Sequence, residues 1–390
     1  MKQTNITVEK ELWDAVVIGA GPAGTLAARE LARRGMKTLL VDGKTFPRNK
    51  VCGGYINGRA LSVLRSVGLE TLCDDLGGKA LSEVEIRAGS RILHIPVPTG
   101  VAISRYALDS ALVQEAKREG VEFLPETKAT VTTDTDSSSR HIQLQQHDEA
   151  PMVVRSKVVL ACDGLSHSSL RELTLFQSRV APHARIGVGG VVEDSSPCYP
   201  DGRVFMTIGR RGYVGITRVE DGKICLAAAL DVDYVRETGM REAVLQILLD
   251  AGTKVSKPLC QMSYHGTPPL TRTTPVLADE RLFLLGDAAG YVEPFTGEGI
   301  AMAWTGAKQI VPIAVQAAES WNPSFVKQWK REYRHAIGRH LTICRVLTSM
   351  VRHPWAVQTT LRVLRAFPKL SSPIVGQINN APFDLKACTP

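Results

Sequence analysis

Two groups of residues in this 390-residue chain have the types and spacing for cofactor chemistry, and they lie far apart. The first is Gly19-Ala20-Gly21-Pro22-Ala23-Gly24, which fits G-x-G-x-x-G, with Asp42 about 20 residues further on. The first glycine permits a tight turn, the second lets the backbone approach a pyrophosphate, and the third lets a helix pack closely on a strand. A helix opening there aims unpaired N–H groups and the positive end of its dipole at phosphate. A carboxylate at Asp42 accepts hydrogen bonds from ribose hydroxyls and repels a 2′-phosphate, which disfavours NADP at this position. A glycine-rich turn can also pack a helix without any ligand. Strand, helix and acid in this order argue for a dinucleotide, and leave NAD and FAD both open.

The second group is Gly286-Asp287-Ala288-Ala289-Gly290, followed by Pro294-Phe295-Thr296-Gly297-Glu298-Gly299-Ile300. Asp287 suits a sugar-alcohol hydroxyl. Gly297 and Gly299 would let the backbone lie against a flat ring. A helix beginning beyond them favours negative charge, such as the N1/C2 edge of a reduced flavin. Two further signals support these groups. Cys162-Asp163-Gly164 closes an apolar run, and Arg105 opens the segment carrying Leu108-Asp109. An arginine there can reach a pyrophosphate or a ribityl chain. A ribityl partner and a ring-facing loop together make FAD the better assignment.

The elements that must position these groups can be read from hydrophobic periodicity. Ala15–Ile18 reads as a buried strand, Thr25–Arg34 as a helix stopped by Gly35, and Thr38–Val41 as a second strand. Residues 59–67 and 105–119 read as helices, the latter ended by Gly120. Segments 121–124 and 129–132 read as strands, and Val131 on the second is a further cofactor candidate. Segments 84–87 and 91–95 form a hairpin. Lys157–Ala161 is a buried strand, and 186–192, 204–208, 213–219 and 224–229 form an antiparallel sheet with that hairpin alongside. Residues 236–251 read as one helix, Leu282–Leu285 as a last core strand, and everything after Gly299 as mainly helix. The expected class is α/β: a Rossmann-like FAD-binding domain, a discontinuous antiparallel-sheet substrate domain and a helical C-terminus. The expected segments are 1–78, 99–180 and 269–320 for FAD, 79–98 and 181–268 for substrate, and 321–390 for the helical region.

The ordered series of G-x-G-x-x-G, Arg before Leu-Asp, Asp-Gly and Gly-Asp-Ala resembles the group A flavoprotein monooxygenases, whose structural type is the para-hydroxybenzoate hydroxylase fold. Pro47-Arg48-Asn49-Lys50-Val51-Cys52-Gly53-Gly54 and Pro294–Gly299 look like the branch holding geranylgeranyl reductases and flavin-dependent halogenases. The resemblance implies that Asp287 binds the ribityl chain and that Pro294–Ile300 border the isoalloxazine. It places Arg48, Cys52 and Gly53 near the flavin, and gives Asp163 and Gly164 cofactor contacts. Halogenases of this branch carry Gly-Trp-x-Trp-x-Ile-Pro, and geranylgeranyl reductases commonly Tyr-x-Trp-x-Phe-Pro. The corresponding stretch here is Gly212-Tyr213-Val214-Gly215-Ile216-Thr217-Arg218, without tryptophan or proline. Halogenation is therefore rejected, and isoprenoid reduction ranks second.

The leading expectation is a monooxygenase acting on a hydrophobic aromatic or polyketide-type small molecule. The resemblance implies that NAD(P)H reduces the flavin, O2 adds at C4a, and the hydroperoxide passes one oxygen to an electron-rich ring. The cofactor carries the hard step, which suits a chain without a Ser/His/Asp or Cys/His constellation. Tyr213 and Phe295 are the substrate-pocket candidates, and no catalytic residue is named. A non-redox binding protein on the same fold is the third reading.

Composition bounds the rest. The eight cysteines form no Cys-x-x-Cys pair and no His flanks them at ligand spacing, which argues against a disulfide framework or a metal site. They are expected to be mostly small buried hydrophobes. The polar segment Met1–Glu11 lacks a secretory pattern, and no apolar run spans a bilayer, so a cytoplasmic protein is expected. Of the formal charge of +8, an excess sits between Pro323 and Leu370, where ten Lys and Arg face only Glu332. A basic amphipathic helix of that kind can lie on an anionic membrane or simply face solvent. No nucleic-acid motif accompanies it.

Overall fold

A computed structural model describes residues 12–147, 149–367, 370 and 376. The Met1–Glu11 segment, Lys369 and Cys388 lie outside the described residues.

The chain opens as the alternation of apolar residues requires. Leu12–Ile18 is a strand whose interior is buried, and Pro22–Ala32 follows as a helix with proline in its first turn. Gly35 stops that helix at φ +78°, its N–H donating to the Ala32 carbonyl. Thr38–Val41 returns parallel to the first strand. The first sheet runs Ala278–Asp279, Leu282–Leu284, Met152–Ala161, Leu12–Ile18, Thr38–Val41 and Glu122–Leu124. All pairs are parallel except the outermost at the 278–279 edge. Thr127–Thr135 and Arg140–Gln146 extend it as antiparallel strands, with Val131 fully buried opposite Ile142. The helices Pro22–Ala32, Arg105–Arg118 and Gly299–Glu319 pack around this sheet, and their apolar faces form the main core.

The second sheet has the order His265–Pro269, Ile186–Glu193, Lys223–Leu230, Gly212–Arg218, Arg203–Gly209, Glu83–Ala88 and Arg91–Pro96. The hairpin does lie alongside, as expected. It joins through a parallel pairing, Val204 opposite Val84 and Met206 opposite Ile86, inside a sheet otherwise antiparallel. Residues 236–251 are not one helix. Gly239 at φ +91° separates Val232–Thr238 from Met240–Asp250. The C-terminal region is helical: Ser324–Tyr333, Arg339–Val351 and Pro354–Ala366, with a wider π turn at Arg334–Gly338. Among the described cysteines, Cys73, Cys225 and Cys344 are buried, Cys52, Cys162 and Cys198 half-buried and Cys260 exposed.

Candidate functional site

The three glycines of the first loop differ in what surrounds them. A Cβ on Gly19, at φ +103°, would lie 2.4 Å from the Cys162 carbonyl oxygen. One on Gly24 would lie 2.0 Å from the Gly19 carbonyl oxygen. Both therefore hold the turn, strand and helix together. Gly21 has an ordinary φ of −81° and caps the helix without a side-chain hydrogen bond. Its Cβ would meet only two guanidinium groups, Arg105 Nη2 at 3.7 Å and Arg48 Nη2 at 3.9 Å. Open space above uncapped helical N–H groups, faced by two cations, is a cradle for a pyrophosphate.

Those arginines are held by carboxylates. Arg105 donates from Nε and one Nη to the two Asp109 oxygens at 2.6 and 2.7 Å. Burial works against the Arg105 charge, and the adjacent Asp109 carboxylate outweighs it, so the guanidinium stays protonated. Arg48 bridges Asp42 at 3.6 Å and Asp109 at 3.4 Å. Asp42 sits just past the second strand. It accepts from the Ala20 N–H at 2.8 Å and, through its other oxygen, from the Lys44 N–H at 2.9 Å. The carboxylate is thereby fixed at the place where a ribose would sit.

A cavity with an empty volume of ≈1270 Å³, mouth included, continues from this loop toward the second sheet. Gly21, Pro22, Ala23, Cys52, Gly53, Arg105, Gly164, Gly286 and Asp287 border it on the first-sheet side, with Pro294, Phe295, Gly297, Gly299 and Ile300. The long helix Gly299–Glu319 begins at this wall, so its positive end faces the space. Asp287 projects there 3.9 Å from Lys50 Nζ. The residues present fit FAD: a cradle for phosphates, a fixed acid for ribose, Asp287 for the ribityl chain and a helix end for the ring edge.

Two expectations are refined. The side of Gly297 where a Cβ would stand is filled by Tyr55, 2.5 Å from its ring, and both residues border the cavity. Gly299 similarly faces Tyr291 at 3.9 Å. Asp163 spends one oxygen on the Ser169 N–H at 2.8 Å, leaving the other buried and unpartnered, and its neighbours Cys162 and Gly164 border the cavity in its place.

Both substrate candidates meet. The Tyr213 and Phe295 rings touch edge to face, centroids 5.1 Å apart at 83°, and both border the cavity. Tyr213 is buried with no partner for its hydroxyl, and burial pushes its phenol far up. Along the Gly212–Arg218 strand, Tyr213, Gly215 and Thr217 face the cavity, as period-two alternation demands.

Other residues that support the site gave no sequence signal. Behind the flavin loop, Glu298 is buried and accepts from Cys344 Sγ at 3.1 Å, with His340 Nδ1 at 2.8 Å and Arg59 at 3.6 Å. Arg59 is itself buried, and that burial lowers its pKa against the pull of Glu298. This cluster ties the helical C-terminal region to the loop. The only local hint is the acid between Gly297 and Gly299.

Known proteins are similar to this chain. The menaquinone reductase of Mycobacterium tuberculosis is 27% identical over 373 residues, covering 89% of this chain and 86% of its own. The digeranylgeranylglycerophospholipid reductase of Methanosarcina acetivorans is 25% identical over 366 residues, 86% of this chain and 84% of its own. A solved flavoprotein/dehydrogenase from Cytophaga hutchinsonii superposes with a TM-score of 0.82 at 16% identity, covering 96% of this chain and 94% of that one. Residues 13–311 match the FAD binding domain family, so this chain belongs to that family and is an FAD-dependent oxidoreductase.

Proposed function

We propose that this oxidoreductase adds hydrogen across a carbon–carbon double bond of an extended apolar substrate of isoprenoid type, with NAD(P)H as the transient reductant. The observation that carries the reading is the second-sheet wall of the cavity. Val204, Met206, Gly215, Ala227, Ala229 and Leu270 offer the substrate no charge. Bound flavin supplies the hydride. The chain holds the double bond against it, excludes water and provides the proton, which ends on the adjacent carbon. Cys52 carries a thiol and borders the space.

Sequence reasoning ranks hydroxylation first because Tyr-x-Trp-x-Phe-Pro is incomplete. The relatives' reductase names support the opposite order. The missing motif then describes the substrate. Gly215 and Thr217 occupy the cavity-facing places where that pattern has tryptophan and phenylalanine, so the wall is lower and a bulkier chain fits.

A second reading, hydroxylation of an aromatic ring with O2, is favoured by one specific observation: the edge-to-face Tyr213–Phe295 pair that borders the cavity. Anaerobic incubation with NAD(P)H and polyprenyl-bearing quinones or lipids separates the two. Product gaining two hydrogens without O2 supports reduction. NAD(P)H oxidation that requires O2 and inserts one oxygen atom rejects it. Purified protein that takes up no flavin would return the chain to the class of non-redox binders.

A further inference from the structure

The helices Arg339–Val351 and Pro354–Ala366 use their two faces differently. Inward, Val351, Val357 and Leu361 are buried in a cluster with Tyr213, Ala229 and Leu270, and Met206 and Phe295 pack against it. These helices therefore back the wall of the cavity. Outward, Trp355 is 73% exposed, Phe367 63% and Val346 62%. Arginines stand among these apolar side chains. Arg345, Val346 and Trp355 border one shallow groove, and Arg362 and Arg365 border another with Arg91 and Ile92 from the hairpin tip. Trp355 and Arg362 are seven residues apart on one helix, two turns, and so share a face. Between Pro323 and Leu370 the only acid is Glu332.

A basic surface turned to water has no use for an exposed tryptophan and phenylalanine. A lipid interface uses both kinds of group: aromatic and aliphatic side chains enter the headgroup boundary, and arginines meet anionic phosphates. No described helix is long and apolar enough to cross a membrane, so contact along the helix axes is the geometry available. We propose that the outward face of this helix pair docks on an anionic lipid bilayer. The charge excess selects anionic over zwitterionic lipid. The inward packing of the same helices brings that surface next to the cavity. The proposal does not depend on which bond the flavin acts on.

The test is co-sedimentation of the full chain with vesicles of phosphatidylcholine alone or with one third phosphatidylglycerol, at low and high salt. Wild type is expected to pellet with anionic vesicles at low salt only, with its tryptophan emission shifted to the blue. R345E/R362E/R365E is expected to lower partitioning by about a hundredfold, while retaining flavin as a control for folding. W355S is expected to pellet less and to lose the emission shift. Wild type remaining in the supernatant with anionic vesicles overturns the proposal, as does equal pelleting of the triple variant. Retention on duplex DNA without vesicle binding also overturns it and reassigns the face to a polyanion.

Discussion

Arg105 grips Asp109 through two parallel hydrogen bonds and, so held, points a terminal nitrogen at the place where Gly21 would carry a side chain. One turn of helix thus aims a permanent cation at the phosphate cradle. Asp109→Asn removes half of the charge-assisted fork and lets the guanidinium swing. FAD affinity is expected to fall by about tenfold to a hundredfold, read by flavin fluorescence titration. Unchanged affinity would mean that Arg105 does not face the cofactor.

The loop glycines should separate by phenotype. A Cβ at Gly21 meets only two guanidinium tips at ordinary contact distance and the residue keeps an allowed φ, so the Gly21→Val chain should fold and elute without flavin. Gly19→Ala and Gly24→Ala place a methyl within 2.4 and 2.0 Å of backbone carbonyls, so they should be unstable whether or not FAD is supplied. Thermal melts with and without added FAD make the distinction.

Gly297→Ala combines a left-handed φ of +69° with a contact to the Tyr55 ring. The expected cost is about 1–3 kcal/mol, a fall of several degrees in Tm. Tyr55→Ala in the same background should restore part of it, because the ring is the obstacle. No recovery would place the strain in the backbone alone.

Asp194 sits at the far end of the second sheet and sets an acid limit on stability. Burial alone would raise its carboxyl, but hydrogen bonds from Ser196 and Ser256 and the nearby Arg218 guanidinium outweigh it and hold the group below its ordinary value of 3.8. A depressed folded pKa means that the unfolded chain binds the proton first as pH falls. The stabilisation is therefore fully present above pH 3.8 and is lost below it, as pH drops through the folded value. Asp194→Asn should melt lower at neutral pH and lose less on acidification. Parallel curves for the two proteins would show that this carboxylate carries none of the acid sensitivity.

The local parts of this fold are legible in the sequence. Gly35 and Gly120 end their helices where left-handed caps are needed, and the glycine loop and Asp42, expected from the sequence to act together, do meet, the Ala20 N–H donating to Asp42. Gly239 escapes because glycine inside an apolar helical pattern is tolerable by propensity alone; only its φ shows the break. The strand Arg140–Gln146 hides behind glutamines, although Ile142 and Leu144 alternate inward. What cannot be read is long-range. Nothing near Val84 announces a parallel partner at Val204, and nothing near Gly297 announces Tyr55. The buried set around Glu298 joins residues from 59 to 344, and the acid between two glycines is its one local trace.

The order of strands in the first sheet sets a timetable for biosynthesis. Its centre is laid down early, with Leu12–Ile18 flanked by Thr38–Val41, but the neighbour of Met152–Ala161 is Leu282–Leu284. Asp287 and the loop to Ile300 follow that strand directly. A ribosome must therefore release all residues up to Asp287 before the residues proposed for both ends of the cofactor exist together. Flavin loading is therefore expected to be late: a nascent chain stalled before Asp287 carries the glycine loop and Asp42 but none of the residues proposed for the ribityl chain.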